Sequence, residues 1–528
     1  MNRVPILQNK LSLFFLVSVL MAAVPVKADV RLPKIFTDNM MMQRGMPVRV
    51  WGWAEAGESV NVSLSGRIAA TKADARGHWS VELPSFKEGE NLELEIKGKN
   101  VVAYKNIIMG DIWVCSGQSN MEMSLGGCLG ADVEIKAADF PKIRRIKFNH
   151  VQTGLPEIEA PAATQWQLCT PGTAAGFTAV GFYFAREVQQ KTGVPIGIID
   201  VNWGGTRIEP WVASEGLELV PEFNQQFTAK QEALKNYRAN LNTSLTEMEA
   251  WIARTRGNLT SGGMITTPPS IPAAPDGGWS GMYNAMINPL VLLPIKGALW
   301  YQGESNGDEG ETYFNKMQAL ISGWRKQWGQ GDFPFYFVQL ANFQTANENP
   351  AGGDGWSKHR EAQRKSLSIP NTGMAVIIDT VPLAQAGDIH PKDKYDVGMR
   401  LSRWALNRDY GQKEIEVSGP LFKELKIEGD KAIVTFDHLG TGLMIGKKSG
   451  REPAVDDKDG KLKRFAIAGA DKKWIWADAV IKDGAVVVSS PEVKEPVAVR
   501  YAFSMNPDGA NFYNREGLPA SPFRTDSW

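Results

Sequence analysis

The stretch IIMGDIWV, residues 107–114, decides the fold, and the segment CSGQSN, residues 115–120, follows it directly. The first segment is almost wholly apolar, as expected of a strand that is covered on both faces of a sheet. The second segment combines small and polar residues, which are typical of a turn. The sequence therefore predicts a buried strand that ends at a polar loop.

Further apolar runs and amphipathic segments alternate after this strand, across residues 106–411. Predicted strands cover residues 107–114, 196–202, 298–302, 335–341 and 374–379, and predicted helices cover residues 180–191, 314–328, 357–366 and 394–408. Buried strands separated by helices indicate an α/β domain with a parallel sheet and helices on both faces. An insertion at about residues 214–281 is too long for an ordinary connection. We expect either a rim over the site or a peripheral helical pair.

The segments on either side of this region have a different hydrophobic pattern. Residues 29–105 and 412–528 contain short runs of alternating polar and apolar residues, separated by turns rich in Gly, Asn and Asp. This alternation predicts β-strands with one buried face. We therefore expect an N-terminal β-sandwich domain at residues 29–105 and a C-terminal all-β domain at residues 412–528.

Residues 1–28 have the features of an export signal. Arg3 and Lys10 precede an apolar run at residues 11–24. A small-residue cleavage site, VKA, ends at residue 28. A membrane anchor is the alternative, but the run is short for a span. We expect cleavage, no stable membrane insertion afterwards, and a periplasmic or extracellular location.

Composition excludes several other classes. The chain has 528 residues, enough for about three domains. Equal numbers of basic and acidic residues, 58 each, give a formal charge of zero, so we expect no nucleic-acid partner. Cys115, Cys128 and Cys169 allow at most one disulfide within the chain. Their spacing matches no zinc pattern, and we expect no metal and no organic cofactor.

Polar residues follow the predicted strands at the edge where ligands gather in parallel sheets. The segments at these strand ends are SGQSN at residues 116–120, WGGTR at residues 203–207, QGESN at residues 302–306 and DIHP at residues 388–391. Together they supply a serine, glycine N–H groups, amides, an acid and a histidine. These are the groups that acyl transfer requires.

His390 is the strongest candidate base among the five histidines. Asp388 lies two residues earlier, and in an extended segment residues i and i+2 point to the same side. Asp388 is therefore the expected partner of the imidazole, with Asp379 and Glu304 as reserve acids. For His359, which lies on a predicted helix between two basic residues, we expect a solvated face.

Two serines compete for the role of nucleophile. Ser305 lies in GESNG, residues 303–307, which matches the G-x-S-x-G elbow of α/β-hydrolases. That elbow opens into a helix, whereas turn-forming residues follow Ser305. Ser119 follows the long apolar strand and precedes a plausible first helical turn. The spacing favours Ser119 and leaves Ser305 open.

Five segments carry a resemblance to a known family. They are GDIWVCSGQSNM at residues 110–121, WGGT at 203–206, WYQGESN at 300–306, DIHP at 388–391 and NREGLPASPFR at 514–524. Together they resemble the sialate O-acetylesterases of the SGNH hydrolase superfamily. The resemblance implies a flavodoxin-like, three-layer SGNH domain between β domains, and hydrolysis of O-acetyl esters of sialic acids. It also implies Ser119 as nucleophile, His390 as base and Asp388 as its partner.

Two motifs depart from the wider superfamily, in which the last block is D-x-x-H and the third is G-x-N. The shorter D-I-H makes Asp388 the less secure of the two residues. The replacement QGESN leaves the oxyanion-hole amide open between Gln302 and Asn306, beside the expected N–H groups of Ser119 and Gly205.

Substrate binding is expected to involve Arg207 and Glu304. A guanidinium binds a carboxylate in bidentate fashion, so Arg207 is a candidate for the acid group of a sialic acid, with a structural salt bridge as the alternative. An esterase for acetyl-xylan or another polysaccharide is the nearest alternative function. A non-catalytic carbohydrate-binding protein is the second.

Overall fold

The computed structural model describes residues 29–87, 89–161 and 165–528, so the predicted export signal at residues 1–28 lies outside the described residues. The N-terminal strands β1–β7 are Met41–Gln43, Val48–Trp53, Ser59–Leu64, Arg67–Lys72, His78–Leu83, Gly89–Lys97 and Val101–Gly117. Strand β3 pairs with β4 and β6, β6 pairs with β7, and β2 pairs with β5. In β3 and β5, buried residues alternate with more exposed ones, as the sequence pattern predicts.

Strand β7 joins this β region to the centre of the molecule. Its first half pairs with β6, and its second half, from Asp111 to Gly117, lies in the central sheet. The predicted boundary between residues 105 and 106 therefore falls inside one continuous strand. The alternating burial of residues 101–106 gives way to complete burial from residue 107 onward.

The central sheet is mixed. Its other strands, β8–β13, are Phe140–Lys147, Gln167–Cys169, Ile196–Asn202, Gly297–Tyr301, Phe335–Val338 and Thr372–Ala375. The order is β13-β12-β11-β7-β10-β8-β9, in which β9 alone is antiparallel to its neighbour. Gly117, the last residue of β7, is level with Asn202 of β10 and Tyr301 of β11. Three strands thus end at the same edge.

Helices cover both faces of this sheet. Helices α1–α8 are Ser119–Glu122, Ala131–Lys136, Ala179–Thr192, Ser214–Leu219, Asn224–Ser261, Tyr313–Trp328, Gly355–Lys365 and Lys394–Arg408. Ile112 and Val114 of β7 enter an apolar core with α6, while Trp113 and Cys115 enter a second core with α3 and α8. The period of two along β7 therefore divides its side chains between two helical layers.

The insertion after β10 contains one long helix, α5, in which no residue is buried. A stretch without regular secondary structure, residues 263–277, follows it. Its half-buried residues, among them Leu234, Leu241 and Met248, recur every three to seven residues and mark one partly covered face, while the other faces are exposed.

The C-terminal part is antiparallel β structure. Strands β14–β24 are Leu421–Glu428, Lys431–Asp437, Leu443–Lys447, Val455–Asp456, Phe465–Gly469, Trp474–Trp476, Asp478–Lys482, Ala485–Ser489, Pro496–Tyr501, Phe512–Asn514 and Phe523–Arg524. They form sheets β14-β15-β21-β20, β17-β16-β23 and β19-β18-β22-β24.

Two further findings concern the sequence predictions. Cys115, Cys128 and Cys169 are all buried free thiols, so the one disulfide that their number allows is not formed. Within residues 29–87, 89–161 and 165–528, no helix is long and apolar enough to cross a membrane.

Candidate active site

Four segments meet at the edge where β7, β10 and β11 end. Ser119 is the first residue of α1, directly after β7, and residues 203–207 follow β10. A 3-10 helix, Glu304–Thr312, begins three residues after β11, and His390 lies in the loop between β13 and α8. The level ends of parallel strands bring together segments that are far apart in the chain.

Ser119 and His390 are in hydrogen-bond contact. The distance from Ser119 Oγ to His390 Nε2 is 2.8 Å, and His390 Nδ1 lies 3.2 Å from Asp388 Oδ1. Because an ionised carboxylate only accepts hydrogen bonds, the Asp388 contact calls for the proton on Nδ1. Nε2 then has a free lone pair that accepts the Ser119 hydroxyl proton. This is the geometry of a Ser-His-Asp triad.

Asp388 remains a good acceptor although its side chain is half exposed. Its Oδ1 also accepts the backbone N–H of His390 at 2.9 Å, and Lys392 Nζ lies 3.6 Å from Oδ2. The hydrogen bond from that N–H is the main cause that holds the pKa of Asp388 below its ordinary value. Asp388 is thus kept ionised opposite the imidazole.

The two reserve acids lie elsewhere. Asp379 forms two hydrogen bonds to Arg400, at 2.6 and 2.9 Å. Glu304 accepts from the side-chain amide of Asn120, the residue next to Ser119. Neither carboxylate is hydrogen-bonded to His390. Asp388 is the acid that contacts the imidazole, and the shorter D-I-H spacing is therefore compatible with that contact.

The turn at Gly204 and Gly205 lies against Ser119. A Cβ on Gly204 would come within 3.2 Å of Ser119 Cβ, so a larger residue there would push against Ser119. Gly205 has a φ of 74°, which favours glycine. Within the described residues, no hydrogen-bond acceptor is found for the N–H groups of Ser119 and Gly205. Both are suited to receive an oxyanion.

Glu122 connects this turn to α1, the helix that begins at Ser119. Its Oε2 accepts the Gly204 N–H at 2.7 Å, and its Oε1 lies 2.9 Å from His150 Nε2. The His150 ring stacks on Trp203, with centroids 4.8 Å apart and planes 8° from parallel. Glu122 is not among the residues predicted from the sequence, although its position three residues after Ser119, on the same helical face, was a usable signal.

The amides of Gln302 and Asn306 are engaged below the site. Gln302 Nε2 donates to Gln118, Thr206 and Asn306, at 3.1, 3.2 and 2.8 Å. Asn306 Nδ2 donates to Glu209 and Glu309, both at 3.1 Å. Both side chains are buried and brace the third segment. Within this arrangement, the backbone N–H groups are the better oxyanion donors.

Arg207 belongs to a charge-balanced cluster. Its guanidinium pairs with Glu209 at 3.2 Å and with Glu309, and donates to the Ser305 carbonyl at 3.1 Å. Lys316 bridges the same two carboxylates at 2.7 and 2.5 Å. Two cations thus face two anions. This pairing favours the structural salt bridge over recognition of a substrate carboxylate.

Ser305 is not arranged as a nucleophile. Its backbone N–H donates to Gln118 Oε1 at 3.2 Å, and among the described residues no imidazole is hydrogen-bonded to its hydroxyl. Gln118 also accepts from Gln302 and the Gly303 N–H. The segment GESNG therefore serves as a brace for the end of β7.

His359 is fully buried, so the expected solvated face is wrong. Its ring contacts that of Tyr313, with centroids 3.9 Å apart, and burial lowers its pKa to about 3. A Cβ on Gly303 would lie 2.6 Å from its Nε2. The basic neighbours Lys358 and Arg360 suggested solvent, but Arg360 itself is buried and donates to four backbone carbonyls.

Trp211, one of the aromatic residues near this edge, is wholly buried, and its Nε1 donates to Thr206 Oγ1 at 3.0 Å. It therefore packs in the core. In the part of the chain that the structure describes, no group of three or more His, Cys, Asp or Glu side chains is arranged to hold a metal ion.

Comparison with known proteins places this chain in a family. The sequence profile described as "Carbohydrate esterase, sialic acid-specific acetylesterase" matches residues 109–250 and 274–406, which is more than half of the chain. The chain belongs to this family. The matched ranges include Ser119 and His390.

Related esterases align with this protein over nearly its whole length. The mouse sialate O-acetylesterase is 27% identical, covering 92% of this chain and 93% of its own, and the human one is 26% identical, covering 93% and 91%. The crystal structure of a carbohydrate acetylesterase from Xanthomonas citri is 34% identical, with a TM-score of 0.77, covering 94% of this chain and all of its own. The protein is a carboxylic ester hydrolase of the carbohydrate esterase class, which removes the non-catalytic alternative.

Proposed function

We propose that this esterase is a serine O-acetylesterase that removes acetyl groups from sialic acids through an acetyl-Ser119 intermediate. The observation that carries the proposal is the contact between Ser119 Oγ and His390 Nε2, at 2.8 Å, with Asp388 on the opposite side of the imidazole. The sialate O-acetylesterases among the relatives support the substrate class.

The first half of the reaction transfers the acetyl group to the enzyme. Ser119 Oγ attacks the acetyl carbonyl carbon while its proton passes to His390 Nε2. The N–H groups of Ser119 and Gly205 stabilise the oxyanion, and Asp388 stabilises the imidazolium. The tetrahedral intermediate then expels the sugar alkoxide, which takes the proton from His390.

The second half regenerates the enzyme. His390 removes a proton from water, and the resulting hydroxide attacks the acetyl carbon of acetyl-Ser119. Collapse breaks the bond to Ser119 Oγ and releases acetic acid, which ionises to acetate in the solvent, while His390 returns its proton to the serine oxygen. The same imidazole therefore acts as base and acid in both halves.

The sheet order supports the SGNH architecture that the motifs imply. With β8 and β9 set aside, the order β10-β7-β11-β12-β13 reads 2-1-3-4-5 in chain order. This is the flavodoxin-like order, in which ligands bind where the strand order reverses. That position lies beside β7, which carries Ser119 at its end.

A neutral polysaccharide such as acetyl-xylan is the second candidate substrate. The observation in its favour is the pairing of Arg207 with two carboxylates, because a neutral glycan makes no demand for a free cation. Acetate release should be measured on mono-O-acetylated sialic acids and on acetyl-xylan in parallel. Faster turnover of the sialic acid esters supports the proposal, and activity on acetyl-xylan alone contradicts the substrate class.

The mechanism is tested by two matched serine variants. Ser119→Ala should lower kcat by roughly 10⁴-fold or more, because the nucleophile is lost. Ser305→Ala should keep activity within about threefold, since its backbone rather than its hydroxyl makes the contacts described above. Full activity in Ser119→Ala would exclude the acetyl-serine mechanism.

Export through removal of residues 1–28 is part of the same proposal. The basic start and the apolar run at residues 11–24 support it. Mass spectrometry of the protein from its native host should find a mature chain that begins at Asp29. Retention of residue 1 would contradict it.

A further inference from the structure

Asn120, next to the nucleophile, links three parts of the site through one buried amide. Its Nδ2 donates to the carbonyl oxygen of Ile389 at 3.0 Å and to the carboxylate of Glu304. Its Oδ1 accepts from Lys394 Nζ at 2.5 Å. The side chain is 1% exposed. It therefore connects α1, the third segment and the loop that carries His390.

The contact to Ile389 lies where His390 is attached. The peptide unit between Ile389 and His390 is held at both ends, because Asn120 binds its carbonyl and Asp388 accepts its N–H at 2.9 Å. The loop around it contains the short 3-10 helix Leu383–Gln385, and residues 382–385, 387 and 388 are exposed. Since little burial restrains this loop, hydrogen bonds must orient the backbone from which the imidazole extends.

Lys394, which is buried, and Glu304, which is half-buried, are ionisable groups that the reaction itself does not use. Lys394 is fully buried, and burial lowers its pKa to about 7. Burial raises the pKa of Glu304, whose Oε2 is inaccessible to solvent and has no hydrogen-bond partner among the described residues. Groups of this kind are costly to bury unless their geometry is well matched.

The two groups face opposite ends of the Asn120 amide. A donor at Oδ1 and a carboxylate at Nδ2 permit one orientation of this amide, because the flipped amide would present its oxygen to the Glu304 carboxylate and to the Ile389 carbonyl. The orientation that both groups favour is the one that holds Ile389.

We propose that Glu304 and Lys394 form an electrostatic clamp on Asn120, and that all three are positioning residues that hold His390 against Ser119. This assigns Glu304 to the support of the base rather than to substrate binding. The inference rests on the proposed function, since it presumes that His390 is the base. A small neutral ester, 4-nitrophenyl acetate, is the suitable probe because it makes few contacts that depend on a glycan.

Asn120→Asp is the first test. The new oxygen would face the carbonyl of Ile389 in place of an N–H donor, so His390 should lose its alignment. We expect kcat to fall about 100-fold, as for a misplacement of ~1 Å, with KM within about threefold. The rate at which phenylmethanesulfonyl fluoride modifies Ser119 should fall in parallel.

Asn407→Asp is the matched control. Asn407 also donates its amide to backbone carbonyls, those of Lys413 and Ile415 at 3.2 and 2.9 Å, but it lies at the far end of α8. This variant should lose some thermal stability and keep kcat. An equal loss of kcat in both variants would indicate a general structural effect and overturn the inference.

Glu304→Gln and Lys394→Met keep the test decisive if Asn120→Asp fails to fold. Each should lower kcat about 10-fold, because a charge-assisted hydrogen bond is weakened or lost. Combining Lys394→Met with Asn120→Ala should cost no more than Asn120→Ala alone, since Lys394 acts through Asn120. Additive losses, or unchanged kcat in Glu304→Gln and Lys394→Met, would overturn the clamp.

The outcomes separate this inference from the proposed function. If the wild-type protein releases acetate and Ser119→Ala does not, the function stands whatever the clamp variants show. If the wild-type protein hydrolyses no ester, or Ser119→Ala retains full activity, the proposed function fails and the inference fails with it.

Discussion

Replacing Glu122 with alanine tests whether a carboxylate on α1 holds the Gly204–Gly205 turn, the proposed oxyanion site, in place. The Gly204 N–H donates to Glu122 Oε2 at 2.7 Å, and a Cβ built on Gly204 would lie 3.2 Å from Ser119 Cβ, so the turn runs close to Ser119. Without this acceptor, the turn loses its bond to α1. The N–H of Gly205, one residue further, should then no longer meet the oxyanion at the right distance.

The magnitude follows from two limits. A hydrogen bond to a charged acceptor contributes about 1.5 to 3 kcal/mol, which bounds the restraint that is lost. Loss of one oxyanion donor costs ~3 kcal/mol, which bounds the catalytic effect. Glu122→Ala should therefore lower kcat by about 10- to 200-fold. Glu122→Gln keeps an oxygen acceptor and should lose less than about 10-fold.

The assay is steady-state release of 4-nitrophenol from 4-nitrophenyl acetate. Asp74→Ala serves as the control, because Asp74 Oδ1 also holds backbone N–H groups, those of Arg76 and His78 at 2.8 and 2.9 Å, in a turn of the N-terminal β region. That variant should keep kcat. If Glu122→Ala also stays within about threefold of wild type, the turn does not depend on Glu122 and the reasoning is refuted.

Three further predictions concern single residues. Asp388→Asn should lower kcat about 100-fold because the imidazolium loses its anion; a wild-type rate would point to another acid. His359 has a pKa of about 3 when folded and ~6.5 when unfolded, so stability should fall as pH decreases between these values, by about 1.4 kcal/mol per pH unit. His359→Phe should flatten that slope in denaturant titrations at pH 7 and 5, and an unchanged slope would contradict the cause. Arg207→Met should impair sialic acid esters and neutral acetyl esters alike, whereas a KM increase confined to the charged ester would show that Arg207 binds its carboxylate.

The central fold was largely predictable because its signals are local. The strand at residues 196–202 and the helix at residues 394–408 have the predicted bounds. The last predicted strand, 374–379, lies instead at Thr372–Ala375, because Val376, Ile377 and Ile378 are buried without strand pairing. An apolar run reports burial, and only pairing distinguishes a strand from a buried loop.

Strand β8 was not among the predicted strands because its sequence, FPKIRRIK, is not a continuous apolar run. Its arginines are nevertheless buried, since Arg145 bonds Asp200 at 2.7 Å and Arg144 donates to backbone carbonyls. In a sequence, basic residues indicate a solvent-exposed segment, because arginine is rarely buried without hydrogen-bond partners. The partners of these two arginines lie in distant segments, so the sequence pattern does not reveal them.

In the candidate site, too, some features were predictable from the sequence and others were not. The i, i+2 spacing of Asp388 and His390 is visible in the sequence, and the structure brings both residues to Ser119. The expected roles of Gln302 and Asn306 rested on residue type, and the structure shows their amide donors already engaged. The chemical type of a side chain is read from the sequence, but the atoms that it contacts depend on how distant segments pack.

By itself the amino-acid sequence determined the apolar strands, the helices between them and the polar residues at the strand ends, because periodicity and turn chemistry act over a few neighbouring residues. The tertiary structure alone decided which of those polar groups remain available for reaction and which are hydrogen-bonded or ion-paired to one another. That choice depends on contacts between segments that are far apart in the chain, such as Ser119 with His390, 271 residues later, or Asn120 with Lys394, 274 residues later. No local pattern encodes such contacts, since they follow from the level ends of parallel strands.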